Sequence, residues 1–349
     1  MTPELLSPAG SLRNMRYAFA YGADAVYAGQ PRYSLRVRNN EFKDLETLAT
    51  GINEAHNQGK QFYLASNISP HNDKIRSYLR DLEPVVELGP DALIMADPGL
   101  MMLVQERWPD LPIHLSVQAN AVNWASVKFW HRNGIRRVIL SRELSLNEIE
   151  EIRQRVPEME LEVFVHGALC IAYSGRCLLS GYMNHRDPNQ GACTNACRWQ
   201  YQAHEAKEDA TGDLIAVQNY EPQPQVEPVL LQQAQRPGEY MPAYEDEHGT
   251  YIMNSKDLRA VQHVQRLQEM GIHSLKIEGR TKSHYYVART AQVYRRAIDD
   301  AVAGREFDMG LMDELETLAN RGYTEGFYRR HPPKEYQNYE MGSSSAQQA

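Results

Sequence analysis

From residue 1 to residue 165 the chain alternates between short apolar runs and longer runs whose apolar positions recur every three or four residues. The short runs predict strands at Glu4–Leu6, Ala25–Ala28, Phe62–Ser66, Ala92–Ala96, Ile113–Val117, Arg137–Leu140 and Leu161–Val165. The longer runs predict amphipathic helices, among them SLRNMRYAFAYG, DLETLATGINEAHNQG, DKIRSYLRDLEPVVELG and SLNEIEEIRQRV. Several open on Ser, Asp or Asn, whose side-chain oxygens can cap the free N–H groups of a first turn. Several close at a glycine, Gly22, Gly59, Gly89 or Gly134, where a helix ends in left-handed backbone.

Strand and helix alternate seven times, which predicts a parallel sheet, because parallel neighbours need a crossover between them. An eighth unit comes much later: the helix-like DLRAVQHVQRLQEMG, a strand at Ser274–Ile277, and the long helical SHYYVARTAQVYRRAIDDAVAG. Eight such units fit an α/β fold of the TIM type, a (β/α)8 barrel. An open doubly wound sheet is the alternative. It usually has fewer strands, and no GxGxxG turn follows the first strand.

The pattern divides the chain into residues 1–167 as the first seven β/α units, 168–253 as an insertion, 254–340 as the last barrel units and C-terminal helices, and 341–349 as a flexible tail. The insertion turns polar and irregular after the cysteines, and YEDEHGTYI within it predicts a hairpin around Gly249. The tail, MGSSSAQQA, is small and polar.

Composition adds three constraints. The 349 residues, 42% hydrophobic, can bury a large core. MTPELLSPAG has neither a basic nor an apolar leader region, and no run approaches the roughly 18 apolar residues of a membrane span, so a cytoplasmic protein with no membrane contact is expected. The formal charge of −8 argues against nonspecific DNA binding, while leaving room for a local basic groove that holds RNA.

In a TIM-type barrel the chemistry sits at the C-terminal ends of the strands. That rule selects Ser7-Pro8-Ala9-Gly10, Gly29-Gln30, Asn67, Asp97, Gln118-Ala119-Asn120, Ser141-Arg142-Glu143, His166-Gly167 and Glu278-Gly279-Arg280. Asn67, Asp97, Gln118, His166 and Glu278 are candidate catalytic groups. Arg36, Arg38, Arg142 and Arg280 are candidate substrate clamps, because a guanidinium grips carboxylate or phosphate with two parallel bonds. Pairing of these arginines with Glu143 and Glu278 is the plainer use. Arg132, Arg136, Arg137, Arg329 and Arg330 are candidate phosphate contacts, with solvated helix ends as the alternative. Trp199 and Tyr201 could stack on a base or pack the loop.

All four cysteines, Cys170, Cys177, Cys193 and Cys197, lie in HGALCIAYSGRCLLSGYMNHRDPNQGACTNACRW. In a reducing compartment, clustered thiols read as a metal or redox site before a disulfide framework. The spacings are looser than the C-x2-C knuckle of structural zinc, which favours an iron–sulfur cluster over zinc or unligated thiols. Gly167, Gly175 and Gly191 would let the backbone turn closely there. Hydrolytic motifs are incomplete: HEAKE at His204 lacks the second histidine of HExxH, and there is no GxSxG. A peptidase and a noncatalytic zinc-loop binding protein remain the alternatives.

EVFVHGALCIAYSGRCLLS resembles the signature of the collagenase-like peptidases, peptidase family U32. ELLSPAGSLRNMRYAFAYGADAVYAG, MNSKDL and SLKIEGR resemble it too, so the likeness runs along nearly the whole chain. CTNACRW and QRPGEYMPAYEDEHGTYIMNSKDLRA are similar to members that hydroxylate tRNA. The resemblance implies conversion of wobble uridine to 5-hydroxyuridine, with the tRNA anticodon loop and the iron–sulfur assembly machinery as partners. It implies a [4Fe–4S] cluster on Cys170, Cys177, Cys193 and Cys197, and prephenate as co-substrate and oxygen source. The resemblance implies a small C-terminal β-rich domain in similar proteins, and the expectation is that this chain, ending at Ala349, lacks it. The expectation is a catalytic barrel that holds RNA less well.

Overall fold

The computed structural model describes residues 1–35, 40–170, 172–180, 187–190, 193, 206–208, 214–216, 229–232, 240–246, 249–251, 256–320 and 322–329. Contacts divide the chain into two units, Met1–Thr194 with Lys256–Ala349, and Asn195–Ser255.

The first unit is built from β1 (Glu4–Pro8), α1 (Leu12–Ala20), β2 (Ala25–Gly29), α2 (Leu45–Asn57), β3 (Gln61–Ser66), α3 (Asn72–Val86), β4 (Ala92–Met95) and α4 (Pro98–Arg107). It continues with β5 (Ile113–Leu115), α5 (Trp124–Arg132), β6 (Arg137–Ile139), α6 (Leu146–Arg155), β7 (Glu160–Ala168), α7 (Val264–Glu269), β8 (Ser274–Ile277) and α8 (His284–Val302). Each strand pairs in parallel with the next, and β8 closes the ring by pairing with both β7 and β1. The chain therefore forms the (β/α)8 barrel of the TIM type, with the insertion following β7. A further helix, α9 (Gly310–Glu316), follows the barrel.

Local signals account for these elements. Ser11, Asp44, Asn123, Ser145 and Ser283 each accept a backbone N–H from the first turn of the helix they precede. Ser145 and Glu148 complete a reciprocal capping box at α6. Gly22, Gly59, Gly89 and Gly134 all adopt positive φ just beyond their helices. The outward sides of the strands, with Leu5, Val26, Phe62 and Leu93 fully buried, pack under the helices. Each such side chain contributes about 1.5–3 kcal/mol relative to exposure.

Three elements differ from the sequence expectation. DLRAVQHVQRLQEMG does not form one helix. Asp257–Arg259 is a strand, Val261–His263 a 3-10 turn, and only Val264–Glu269 is α-helical. Asp257–Arg259 pairs antiparallel with the end of β7 and parallel with Tyr323–Thr324, and that sheet pairing overrides helical periodicity. β5 stops at Leu115, and Val117–Ala119 turns as a 3-10 helix. The α3 helix begins at Asn72 after His71, with Asp73 in its first turn instead of at its cap.

In the second unit, Ala206–Glu208 pairs antiparallel with Leu214–Ala216. Tyr240–Asp246 lies between Val229–Gln232 and Gly249–Tyr251, antiparallel to both. Asp246 faces Gly249, which is the hairpin expected there.

Candidate active site

The barrel lumen is charged, where such barrels usually interdigitate branched apolar side chains. Positions of one parity carry the charges: Glu160 and Glu162 on β7, and Lys276 on β8 followed by Glu278 and Arg280. At the base, the Arg137 guanidinium donates to Glu4 at 2.7 Å, Glu160 at 3.0 Å and Glu162 at 3.3 Å. Tyr63 and Ser274 both donate to Glu4, at 2.6 and 2.8 Å. Higher up, Lys276 Nζ bonds Glu162 at 2.7 Å and lies 4.2 Å from the centre of the Tyr27 ring. Burial lowers the Lys276 ammonium pKa despite Glu162, and pushes the Tyr27 phenol well up. Arg137, a candidate phosphate contact from the sequence, is thus a lumen residue, only 7% exposed and fully engaged. Arg136 pairs with Glu160 at 2.8 Å and Arg329 with Glu325 at 2.9 Å. Arg132 is exposed on α5, and Arg330, Trp199 and Tyr201 lie outside the described residues.

Polar groups converge on the mouth. Arg142 follows β6, lies 3.8 Å above the centre of the Phe164 ring, and reaches Glu278 at 3.5 Å and Ser174 Oγ at 3.2 Å. The plainer pairing, Arg142 with Glu278, is therefore present. Tyr27 OH donates to Ile277 O at 3.0 Å and contacts the Glu278 carboxylate at 3.5 Å. Arg280 donates to Ser34 Oγ at 2.9 Å, and its guanidinium lies 5.5 Å from the Tyr27 ring centre. Gly29 lets this contact form: a Cβ there would stand 2.7 Å from Ser34 Oγ. Asn67 and Gln118 meet through Ser116, which Asn67 Nδ2 reaches at 3.4 Å and which lies 3.3 Å from Gln118 Oε1. The structure thus brings together Arg142, Glu278 and Arg280 on one arc of the rim, and Asn67 and Gln118 on another.

Two expected rim residues are otherwise employed. Asp97 caps α4, its carboxylate accepting Leu100 N–H at 2.9 Å. His166 lies 1% exposed among Tyr286, Tyr294 and Tyr323, with Tyr294 OH 3.4 Å from Nδ1. Burial pushes its imidazole pKa down to about 3. The β7–β8 register shifts between Lys276 and Ile277, so His166 pairs with Ile277 and its ring meets the tyrosines of α8.

Buried polar atoms without a hydrogen-bond partner among the described residues mark the same rim: Ser7 Oγ, Gln30 Oε1, Gln118 Nε2 and Asn120 Oδ1. Such groups are costly unless a ligand or water satisfies them.

The cysteine-bearing segment is fastened to this rim. Asn120 Nδ2 donates to Ser174 O at 3.0 Å, and Asn189 Nδ2 to Cys177 O at 3.1 Å. Asn189 O in turn accepts Ser69 N–H from beyond β3 at 3.2 Å. Cys170, Cys177 and Cys193 form no disulfide; Cys170 is exposed and the other two are half-buried. Among the described residues, no three His, Cys, Asp or Glu side chains are placed to hold one metal ion. Cys197, Arg36 and Arg38 lie outside the described residues.

Sequence reasoning missed the charged lumen and the clamp on Ser174. The lumen was detectable, since charges at alternate positions inside strands that should be buried on both faces mark an inward polar row. Nothing in the sequence signals the Ser174 contact, which depends on how the loop folds back.

The profile described as peptidase family U32 matches residues 10–338. The tRNA hydroxylation protein P of Escherichia coli (strain K12) is 70% identical over 355 residues, covering 98% of this chain and 78% of its own length. Its namesake in Haemophilus influenzae (strain ATCC 51907 / DSM 11121 / KW20 / Rd) is 65% identical, covering 98% of this chain and 77% of its own. The 23S rRNA 5-hydroxycytidine C2501 synthase of Escherichia coli (strain K12) is 30% identical, covering 86% of this chain and 40% of its own. A profile that spans most of the barrel, together with identity sustained along nearly the whole sequence, places this chain in peptidase family U32.

Proposed function

We propose that this chain is an RNA-hydroxylating enzyme that converts wobble uridine in tRNA to 5-hydroxyuridine. In this reading prephenate is the oxygen source and a [4Fe–4S] cluster sits on Cys170, Cys177, Cys193 and Cys197. The reading is carried by one conjunction. A barrel mouth with two largely buried guanidiniums, and with several buried polar atoms that lack a partner among the described residues, adjoins a loop whose described cysteines form no disulfide, in a chain 70% identical to a tRNA hydroxylation protein.

The donor chemistry fits a cluster: four thiols fall within one segment, and the described ones are not in disulfides. Metal binding would itself draw the thiolates together. When bound, the cluster supplies electron transfer and Lewis acidity at iron. Cluster loading makes the iron–sulfur assembly machinery a partner.

The protein's own residues bind and orient. Arg142 and Arg280, at 10% side-chain exposure and 9% residue exposure, are preset to grip a dicarboxylate such as prephenate. Tyr27 OH and Ser174 Oγ hold Glu278 and Arg142 in place. The wobble base is already in a loop, so presenting its C5 edge to the mouth costs little. A cytoplasmic site of action suits this substrate, and no helix among the described residues is long and apolar enough to cross a membrane. No observation favours hydrolysis, since His166 is held neutral behind the barrel wall and Asp97 is engaged as a helix cap.

The test is genetic. A strain lacking this gene and every other wobble-uridine hydroxylase should have no 5-hydroxyuridine in digested tRNA, and the wild-type gene should restore it. Restoration by Cys170→Ala to the wild-type level would contradict the ligand set, and failure of the wild-type gene would contradict the reaction.

A further inference from the structure

The α5 helix buries less of itself than its neighbours around the barrel. Val127 is its one buried residue, whereas α1, α2, α3, α4 and α6 each bury three or four. Trp124 and Phe129 stand in solvent at 37% and 56% exposure, and Lys128 and Arg132 are exposed with them. At about 100° per residue, Trp124, Lys128, Arg132 and Phe129 fall within about 140° of one side of the helix, away from Val127. A single exposed apolar side chain is ordinary, but aromatic rings interleaved with cations on one face are a recurring form of nucleic-acid surface.

Charge points the same way. No Asp or Glu occurs between Asp110 and Glu143, although the chain as a whole carries −8. Lys128 and Arg132 have no ion-pair partner among the described residues. Of the described arginines that the sequence offers as phosphate contacts, Arg136, Arg137 and Arg329 are engaged by carboxylates, which leaves Arg132. Arg155 of α6, itself paired with Glu151 at 2.7 Å, stands 5.0 Å from the centre of the Trp124 ring and braces it. The helix also starts at the mouth. Ala121 O accepts Ser141 N–H at 3.3 Å, beside Arg142, and Asn120 Nδ2 donates to Ser174 O at 3.0 Å in the cysteine-bearing segment.

We infer that this face of α5 is the track along which the RNA strand flanking the target uridine leaves the barrel mouth. Trp124 and Phe129 offer stacking faces to bases, and Lys128 and Arg132 meet phosphates. The two cations stand about one turn apart, roughly 6 Å along the helix axis, which is close to the spacing of successive phosphates in an extended strand. Every base has a face to stack and every nucleotide a phosphate, so the track holds the strand without reading its sequence. The inference deepens the tRNA reading and rests on it.

The test titrates an unmodified anticodon stem-loop, with uridine at the wobble position, into cluster-loaded full-length protein at several salt concentrations. Lys128→Gln combined with Arg132→Gln should make binding less salt-dependent, reducing the slope of log affinity against log salt by about 1.4, at about 0.7 for each phosphate contact to a single strand. Phe129→Ala should weaken binding about 5- to 150-fold and leave the slope unchanged. All three side chains are exposed, so thermal unfolding of the variants should match the wild type. A misfolded variant would not separate affinity from slope in this way. Wild-type protein that binds and hydroxylates the loop, with both variants keeping its affinity and slope, overturns the track and leaves the tRNA reading standing. Variants that bind the loop as the wild type does but differ in self-association, or in binding to anionic lipid vesicles, give the face to those partners and overturn the track as well. Wild-type protein that does not bind the loop fails the tRNA reading, and the track with it.

Discussion

Replacing Glu162 probes the most unusual feature of this barrel, its ionic lumen. Glu162 is fully buried and accepts from Lys276 Nζ at 2.7 Å and Arg137 Nη1 at 3.3 Å. At an effective dielectric of about 20, a contact of that length carries an attraction on the order of 6 kcal/mol. Desolvating two ions offsets most of it, since the penalty is several kcal/mol per ion. The net worth of the pair is therefore small, but the cost of breaking it is large. In Glu162→Ala, Arg137 retains Glu4 and Glu160, whereas Lys276 retains no ion pair among the described residues. The expected loss is about 3–5 kcal/mol, a large part of the roughly 5–15 kcal/mol that holds a domain folded. Removing both charges, as Glu162→Met with Lys276→Met, should recover at least about 2 kcal/mol of that loss. Urea unfolding of the wild type, Glu162→Ala, Glu162→Met, Lys276→Met and the double Met variant, followed by circular dichroism, measures both values. An Ala variant within about 1 kcal/mol of wild type, or a double variant that loses the sum of the single losses, would refute the reasoning.

Other consequences follow from the same geometry. Burial pushes His166 down to about 3 from an ordinary 6.5, so the unfolded chain binds a proton that the folded chain refuses. The stability this residue provides is complete above that ordinary value and is lost as pH falls toward the folded one, at about 1.4 kcal/mol per pH unit. His166→Phe should remove one proton's share of the slope between about pH 4 and 6, and an unchanged slope would show that the ring is not held neutral. Arg142→Lys cannot span Ser174 and Glu278 with one planar fork, so KM for the dicarboxylate donor should rise about tenfold; an unchanged KM places the donor elsewhere. Anaerobically loaded Cys177→Ala should lose the brown colour and most of its iron, while a variant with wild-type iron and sulfide removes Cys177 from the ligand set.

The barrel was legible because each β/α unit carries its own signals. Ser11, Asp44 and Ser145 begin helices, Gly22, Gly59 and Gly89 end them, and Ser274–Ile277 is the eighth strand as read. What escaped depended on contacts distant in sequence. Asp257–Arg259 has helical periodicity but finds a sheet edge at β7. His166 sits at the end of β7 as expected, yet a register shift beside Ile277 sets its ring against α8. Of the candidate site residues picked by the rim rule, Arg142, Glu278 and Arg280 lie on one arc of the mouth and Asn67 and Gln118 on another. It could not find Asn120's orphaned oxygen, which is left over because Nδ2 of the same amide donates to Gln118 O and to Ser174 O across the loop.

The most direct test of the central claim is reconstitution. Purified protein with its cluster loaded under anaerobic conditions, prephenate and an unmodified tRNA transcript should give a wobble uridine heavier by one oxygen atom in digested nucleosides, with none formed when either protein or prephenate is left out. Cluster-loaded protein that binds the tRNA yet leaves that uridine unchanged would contradict the account.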